Sequence, residues 1–259
     1  MTTPGRRIGL VLSAGGLRGA AHLGVLRRLV ATGIRLDVIV GVSAGAVVAA
    51  YYAAVGLTME ELIGNARVFQ GRHLIAHSVG LRSPRWLRPI IEPFAGIIPR
   101  RLRQLESSRF GRLHHGISAI GIVCHDLTND CARYLATGAH AGVSLYDAVA
   151  TSASIPSMFP ARSITYEGRV CAFTDGGLSD ALPIGFARDP VLGATHVIAS
   201  DCRSRRGAHE THDAADLAYV RPRLDDTHVL RAPRASLLEA VAAGEASVTA
   251  ETLEKIRGW

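Results

Sequence analysis

Residues 38–57 read VIVGVSAGAVVAAYYAAVGL, a run of twenty residues without a charge. On length alone, this run is compatible with a transmembrane helix. Its β-branched start and its glycines favour a buried strand at residues 38–42, followed by a helix at residues 44–54 that is apolar on every side. The run therefore predicts a strand-to-helix unit inside the core of an α/β protein.

The same order of elements precedes this run. Residues 8–12 form a short apolar segment that predicts a strand, and residues 20–30 carry apolar side chains at helical spacing, with Gly33 at the expected end of the helix. Strand, helix, strand, helix is the order typical of a parallel sheet with right-handed crossovers. We therefore expect an α/β fold with a mainly parallel central sheet.

Patterns of the same kind continue to the end of the sequence. A capping box at residues 58–61 predicts a helix to about Phe69, and residues 144–154 predict another. Further strands are expected at residues 117–124, 132–136, 164–166, 170–173 and 195–200, terminal helices at 236–243 and 249–256, and a surface loop at 203–218. The absence of an internal repeat or low-complexity linker favours one domain over residues 1–259.

Composition restricts the function classes. With 259 residues, 48% of them hydrophobic, the chain can bury a sizeable core and is neither disordered nor fibrous. A net charge of +7 favours anionic partners such as membrane surfaces or acidic substrates. Nucleic-acid binding is not expected, since no reading helix or aromatic platform accompanies the charge. Four sparse cysteines without a C-x-x-C pair indicate a reducing compartment, and no ligand spacing predicts a metal site.

Residues 67–115 concentrate the basic side chains. They include ten arginines, whereas Glu92 and Glu106 are their acidic residues, and bulky apolar residues and four prolines are interleaved. This mixture predicts a lid or rim that contacts an amphipathic or anionic ligand. An arginine-rich solvated face over ordinary core residues is the alternative.

The sequence GVSAG, residues 41–45, has the form G-x-S-x-G between the predicted strand and helix. A serine on such a turn has a strained backbone and an exposed hydroxyl, and the flanking Gly41 and Gly45 let neighbouring elements approach. The helix start behind it favours developing negative charge. Ser43 is therefore predicted to be a nucleophile, and an inert serine in a tight turn is the alternative.

The sequence GGLRG, residues 15–19, also lies after a predicted strand and before a helix. It does not satisfy the dinucleotide pattern G-x-G-x-x-G, because Ala14 precedes it, and no G-K-[ST] follows. Beside a serine nucleophile, its backbone N–H groups would form an oxyanion hole. The residues assigned to this hole are Gly15, Gly16 and Leu17, and the supporting residues are Arg18, expected to anchor the loop, and Gly19.

Asp175, Gly176 and Gly177 follow a predicted hairpin strand. A carboxylate in a glycine turn can be a turn former alone. A serine hydrolase nevertheless needs a base, and no histidine stands out for that role. His196 lies in a predicted strand, and the others that follow Asp175 lie in polar sequence without a motif; these are His209, His212 and His228.

These motifs, in this order, resemble the patatin-like phospholipase family. LSAGGLRGAAHLGVL at residues 12–26 is similar to its glycine-rich oxyanion segment and GVSAGA at residues 41–46 to its nucleophile turn. SASIPSMFP at residues 152–160 is similar to a segment bordering its active site and TDGGLSD at residues 174–180 to its aspartate motif. Two departures are Ala14 in place of the first glycine of a triplet and Ala181 where asparagine is common.

The resemblance implies a three-layer α/β/α sandwich and a Ser43–Asp175 dyad in place of a triad. It implies a substrate with a fatty-acyl ester, a phospholipid or another lipid, and it implies no metal or organic cofactor. Two alternatives remain: an acyltransferase or thioesterase acting on a soluble acyl intermediate, and a catalytically silent protein that binds anionic lipid. We expect a cytoplasmic location with peripheral contact to an anionic membrane surface, because the apolar run at residues 8–12 is too short for an export signal.

Overall fold

The computed structural model describes residues 5–204, 214–224 and 237–259. Eight strands within these ranges form one sheet: β1 Ile8–Leu12, β2 Val38–Val42, β3 Ala119–Asp126, β4 Cys131–Ala136, β5 Arg162–Tyr166, β6 Arg169–Asp175, β7 His196–Ser200 and β8 Leu217–Val220. The α-helices in the same ranges are α1 Ala21–Ala31, α2 Ala44–Ala53, α3 Met59–Val68, α4 Gly71–Arg82, α5 Arg88–Ile91, α6 Ile98–Glu106, α7 Leu145–Ser152, α8 Ile184–Arg188, α9 Leu237–Ala246 and α10 Ala250–Arg257.

The sheet is mainly parallel, as the sequence predicts. Its order is β5-β6-β3-β2-β1-β7-β8, and β4 pairs with β3 outside this path. The neighbouring pairs β3–β2, β2–β1, β1–β7 and β7–β8 are parallel. The pairs β3–β4, β3–β6 and β5–β6 are antiparallel. The antiparallel strands belong to the two hairpins that the sequence predicts.

Apolar side chains cover both faces of the sheet. Leu10 and Leu12 of β1 belong to the larger buried cluster, which includes residues of α1, α2, α7 and α9. Val11 and Val40 point to the opposite cluster, where Phe186 of α8 packs. Because alternate residues of a strand point to opposite faces, these short strands are apolar throughout. The result is the expected three-layer α/β/α sandwich.

The prediction of a surface loop at residues 203–218 is wrong for its last two residues. Leu217 and Ala218 belong to β8, which pairs in parallel with β7. This strand has only four residues and follows a polar, mixed-charge stretch, so no periodic pattern marks it in the sequence. Residues 205–213 of the predicted loop, and Ser236 of the predicted terminal helix, lie outside the described residues.

Residues 67–115 are more regular than their composition predicts. They contain the end of α3, then α4, α5, a 3₁₀ turn at Glu92–Ala95 and α6. Pro89, Pro93 and Pro99 each lie in the first turn of one of the last three elements, and do not interrupt them. Proline is well tolerated there because the first N–H groups of a helix have no partner within it.

The uncharged run at residues 38–57 forms β2 and then α2, as expected. The helix has ten residues and most of its side chains are buried in the protein core. Among the described residues, no helix combines the length and the apolar character needed to cross a bilayer.

Candidate active site

The pairing of three strands brings the predicted site together. Val42, the last residue of β2, pairs with Val123 of β3, and Asp175, the last residue of β6, pairs with the adjacent Cys124. Since β4 occupies the other edge of β3, β2 and β6 lie end to end along a single edge. One runs parallel and the other antiparallel to β3, so that their carboxyl ends meet.

Ser43 and Asp175 face each other at this junction. The Ser43 hydroxyl donates a hydrogen bond of 2.7 Å to Asp175 Oδ2, and the Gly177 N–H donates one of 2.8 Å to Asp175 Oδ1. Both residues are buried, with exposed fractions of 4% and 6%. The hydroxyl and a proton acceptor are therefore within direct hydrogen-bond reach, without an intervening histidine.

The backbone of Ser43 has an unusual conformation. Its φ of 55° and ψ of −121° place a residue with a side chain in a region that favours glycine. Its N–H donates to Ser152 Oγ at 2.9 Å, and the Ser152 hydroxyl donates to the Val123 carbonyl at 2.6 Å. Ser152 thus ties the serine turn to β3. It lies in the quoted segment 152–160, but sequence reasoning gave it no role.

The glycines of the serine turn allow close backbone contact. A Cβ on Gly45 would lie 2.1 Å from the Leu12 carbonyl oxygen, and one on Gly41 would lie 2.4 Å from the Gly45 carbonyl oxygen. Neither distance is compatible with a methyl group. The G-x-S-x-G spacing is therefore required by the packing of β1 against the start of α2.

The glycine-rich loop packs against the serine turn. A Cβ on Gly19 would lie only 2.4 Å from the Ala44 Cβ. Gly16 and Leu17 line the same cavity as Ser43, whereas a Cβ on Gly15 would meet Cys202 at 3.1 Å. The structure thus brings two of the three predicted oxyanion residues to the cavity and places Gly15 where the loop packs on Cys202.

Arg18 and His22 form hydrogen bonds to residues at or just beyond the carboxyl ends of β1 and β7, beside the glycine-rich loop. Arg18, the predicted anchor, donates from Nε to the Cys202 carbonyl at 3.1 Å. His22 bonds through Nε2 to the Ser13 carbonyl at 2.9 Å and through Nδ1 to Ser200 Oγ at 2.8 Å. Since a carbonyl only accepts, Nε2 carries the proton and the Ser200 hydroxyl donates to Nδ1. Sequence reasoning did not assign a role to His22.

Burial perturbs the pKa of both His22 and Asp175. Burial lowers the pKa of His22 to about 4, partly offset by its bond to Ser13, so that the ring is neutral near pH 7. Burial raises the pKa of Asp175 to about 6, and the hydrogen bonds from Ser43 and Gly177 oppose this shift. Asp175 is therefore mostly ionised near pH 7 and is more basic than an ordinary carboxylate.

The histidines considered as bases do not join this pair. His196 is the first residue of β7 and pairs with Ile8 at the beginning of β1, the opposite end of the sheet from Ser43. His209, His212 and His228 lie outside the described residues. Within residues 5–204, 214–224 and 237–259, no three histidine, cysteine, aspartate or glutamate side chains are grouped so that they could hold a metal ion.

An apolar cavity of about 360 Å³ opens above Ser43. Its walls come from α2, α3 and α7, and its roof comes from residues of the basic segment 67–115. The roof residues include Phe69, Leu74, His77, Leu81, Ile97, Ile98, Arg101, Leu102 and Leu105. Arg101 is held in place by Asn65 and Gln104. The cavity can therefore accept a long apolar group with its polar end at Ser43.

The chain is similar to a known protein family and to known proteins. A model of the patatin-like phospholipase family matches residues 10–188. Neuropathy target esterase sws of Drosophila melanogaster is 30% identical over 218 residues, 83% of this chain and 14% of that protein. Lysophospholipase nte1 of Aspergillus fumigatus is 44% identical over 68 residues, 26% of this chain and 4% of that protein.

The fold also occurs in a protein of known structure. VipD from Legionella pneumophila superposes with a TM-score of 0.58 at 14% identity, covering 99% of this chain and 67% of that chain. The curated relatives are much longer than this chain, which spans 14% and 4% of the two named above. Their similarity therefore concerns one region of each protein.

Proposed function

This chain belongs to the patatin-like phospholipase family, and on that premise we propose that it is a serine hydrolase that cleaves fatty-acyl esters of phospholipids or other lipids. The observation that carries the proposal is the 2.7 Å hydrogen bond from the Ser43 hydroxyl to Asp175. In this pair the Ser43 hydroxyl is the nucleophile and Asp175 is the base, and the Asp175 pKa of about 6 suits proton transfer near neutral pH.

The reaction would proceed in two halves. In the first, Ser43 Oγ attacks the ester carbonyl carbon while Asp175 Oδ2 accepts the hydroxyl proton. The resulting tetrahedral oxyanion would be stabilised by N–H groups of the glycine-rich loop, from Gly16 and Leu17, the two of the three predicted residues that line the cavity. When the bond to the leaving alcohol breaks, Asp175 returns the proton to that alcohol, and the acyl group remains on Ser43.

In the second half, water replaces the alcohol. Asp175 accepts a proton from the water molecule as its oxygen attacks the acyl-enzyme, and the second oxyanion forms in the same loop. Collapse releases the fatty acid, and the proton returns from Asp175 to Ser43 Oγ. The dyad is then regenerated without a cofactor.

The cavity supports a lipid substrate. An acyl chain bound between α3, α6 and α7 would lie among apolar side chains such as Leu62, Leu105 and Val149, with its carbonyl at Ser43. Burial of each methylene contributes about 0.8 kcal/mol, so a long chain gains more than a short one. The names of the two relatives, an esterase and a lysophospholipase, agree with an ester of this kind.

Steady-state hydrolysis of p-nitrophenyl esters of increasing chain length tests the proposal. Ser43→Ala should lower kcat by roughly four orders of magnitude or more, whereas Ser163→Ala, at an exposed position of β5, should retain native activity. Ala66→Phe should obstruct the cavity and reduce kcat/KM for long chains about tenfold while sparing the acetate. Hydrolysis that survives in Ser43→Ala would contradict the proposed nucleophile, and a preference for acyl thioesters would favour the thioesterase alternative.

A further inference from the structure

The net positive charge of the chain is concentrated in one segment. Residues 67–115 contain ten arginines and two glutamates, a net charge of +8, compared with +7 for the whole chain. The other 210 residues therefore sum to −1. Arg72, Arg82, Arg85 and Arg88 are all exposed. Attraction to an anionic partner is thus localised on the elements that roof the cavity.

The same elements expose large apolar side chains. Trp86, Ile90 and Phe94 have exposed fractions of 74%, 61% and 69%. Trp86 lies in the turn that precedes α5, Ile90 lies in α5, and Phe94 lies in the 3₁₀ turn that follows it. Their four-residue spacing along this stretch favours one side for all three. The opposite side contains Ala95, which is buried, and Ile91, which packs near Gly80 of α4. The polarity of this short helical stretch is therefore inverted, with apolar residues directed away from the protein.

Helix α4 repeats this arrangement. Ile75 and Val79 are about half exposed, and the spacing of Arg72 and Arg82 places them on the same face, at its two ends. Leu74, His77 and Leu81 of this helix line the cavity, so its inward face covers the apolar site. The outward side of the roof thus consists of apolar residues between arginines.

We propose that this arginine-rimmed face, formed by Ile75, Val79, Trp86, Ile90 and Phe94 with Arg72, Arg82, Arg85 and Arg88, docks the protein on the surface of an anionic phospholipid membrane. Apolar side chains of this kind enter the boundary between headgroups and acyl chains, and arginine binds lipid phosphate with two hydrogen bonds. A second copy of the chain is a poorer occupant, because it would bring another +8 to the contact.

Docking on this face would place the cavity against the lipids. The inference about binding is independent of catalysis, whereas its consequence, entry of a lipid from the membrane into the cavity, rests on the proposed function. Binding is therefore measured in Ser43→Ala protein, in which the proposed turnover is abolished. Failure of the docking surface and failure of the hydrolase proposal then give different results.

Tryptophan fluorescence provides a direct readout, because the chain has two tryptophans. Trp259 donates from Nε1 to the Ala215 carbonyl, and Trp259→Phe leaves Trp86 as the sole emitter. Emission of this protein should shift to shorter wavelength with vesicles of equimolar phosphatidylglycerol and phosphatidylcholine, and lipids with brominated acyl chains should quench it. Pure phosphatidylcholine should bind at least tenfold more weakly, and added salt should weaken anionic binding.

Paired variants locate the contact. Two variants should each reduce vesicle partitioning at least tenfold. The first combines Ile90→Ser with Phe94→Ser, and the second replaces four arginines by glutamine, at Arg72, Arg82, Arg85 and Arg88. Val170→Ser and Arg169→Gln, at exposed positions on the hairpin of β5 and β6, are the matched controls and should change it less than twofold. Equal binding to both vesicle types, or unchanged partitioning in the first two variants, would overturn the proposal. Concentration-dependent self-association lost in the same variants would instead assign this face to a second copy.

Discussion

The serine turn and the basic segment 67–115 differ in what determines their structure. Ser43 and Asp175 are buried at the meeting point of β2 and β6, where backbone pairing fixes both positions. The basic segment consists of short helices whose outward face carries apolar and arginine side chains in solvent. The first region is specified by contacts within the chain, whereas the second carries exposed apolar and basic side chains that such contacts leave unexplained.

After loss of Ser43 itself, the largest effect is expected at the base. Asp175→Asn preserves the shape of the side chain and its contact with Gly177, but an amide does not accept the Ser43 proton. We expect kcat for a soluble ester to fall by roughly 10³–10⁴ with little change in KM. Folding should be intact by circular dichroism. A decrease of less than tenfold would show that another group takes the proton, and would remove Asp175 from the mechanism.

Glycine substitutions test how tightly the serine turn is packed. Gly45→Ala should destabilise the protein by about 2–3 kcal/mol, because its Cβ would lie 2.1 Å from the Leu12 carbonyl oxygen. Gly64→Ala, in α3 beside the basic segment, meets nothing within 4 Å and should stabilise the protein by about 0.5–1 kcal/mol. Urea denaturation measures both. Equal effects in the two variants would mean that the turn is not closely packed.

Ser152→Ala removes the link between the serine turn and β3. It leaves the Ser43 N–H and the Val123 carbonyl without this partner, at a cost of about 1–3 kcal/mol in unfolding free energy. Because Ser43 then lacks this support for its strained backbone, kcat should fall about tenfold while KM is retained. The control is Ser154→Ala, which lies just beyond the end of α7 and whose hydroxyl donates to the Ala150 carbonyl within that helix. Native kcat in Ser152→Ala would show that the link is dispensable.

The pH dependence follows from the raised pKa of Asp175. Protonation below about pH 6 removes the base, so kcat/KM should be level above pH 7 and fall about tenfold per unit below pH 6. Stability has the opposite sign: the folded state holds the proton more tightly than the unfolded chain, so this carboxyl costs stability as pH rises from its usual pKa through about 6. A profile that instead bends near pH 4 would indicate an unperturbed carboxylate.

The smallest effect is expected in the basic segment. Trp86→Ser changes a residue that is 74% exposed, so the unfolding free energy should change by less than about 0.5 kcal/mol. Hydrolysis of a short-chain soluble ester should be native. Thermal denaturation together with this assay checks both statements. A large loss of stability would mean that Trp86 serves the core of the protein, and the contrast between the two regions would then disappear.

The elements and residues predicted from sequence were those with a repeating or turn-specific pattern. Apolar runs predict β1, α1, β2 and α2. The G-x-S-x-G turn is predicted where the pattern changes from the strand β2 to the helix α2. The end-to-end meeting of β2 and β6 could not be predicted, because it depends on which residues of β3 each strand pairs with. The role of His22 was hidden for the same reason, since its partner Ser200 lies 178 residues away.

The basic segment shows a different limit. Its composition predicted contact with an anionic or amphipathic ligand but not its helices, because prolines commonly interrupt helices, whereas Pro89, Pro93 and Pro99 occupy first turns. β8 escaped detection because four apolar residues after a polar stretch carry no periodicity. Local patterns thus specified the buried centre, whereas long-range pairing and exposed surfaces required the structure.

The most direct test of the central claim is the intact mass of the protein after treatment with an alkyl fluorophosphonate. This reagent phosphonylates a serine hydroxyl that a neighbouring base activates. We predict a single adduct on the native chain, none on Ser43→Ala, and strongly slowed labelling of Asp175→Asn. An adduct that persists in Ser43→Ala, or a native chain that remains unlabelled with and without anionic vesicles, would contradict an activated Ser43–Asp175 pair.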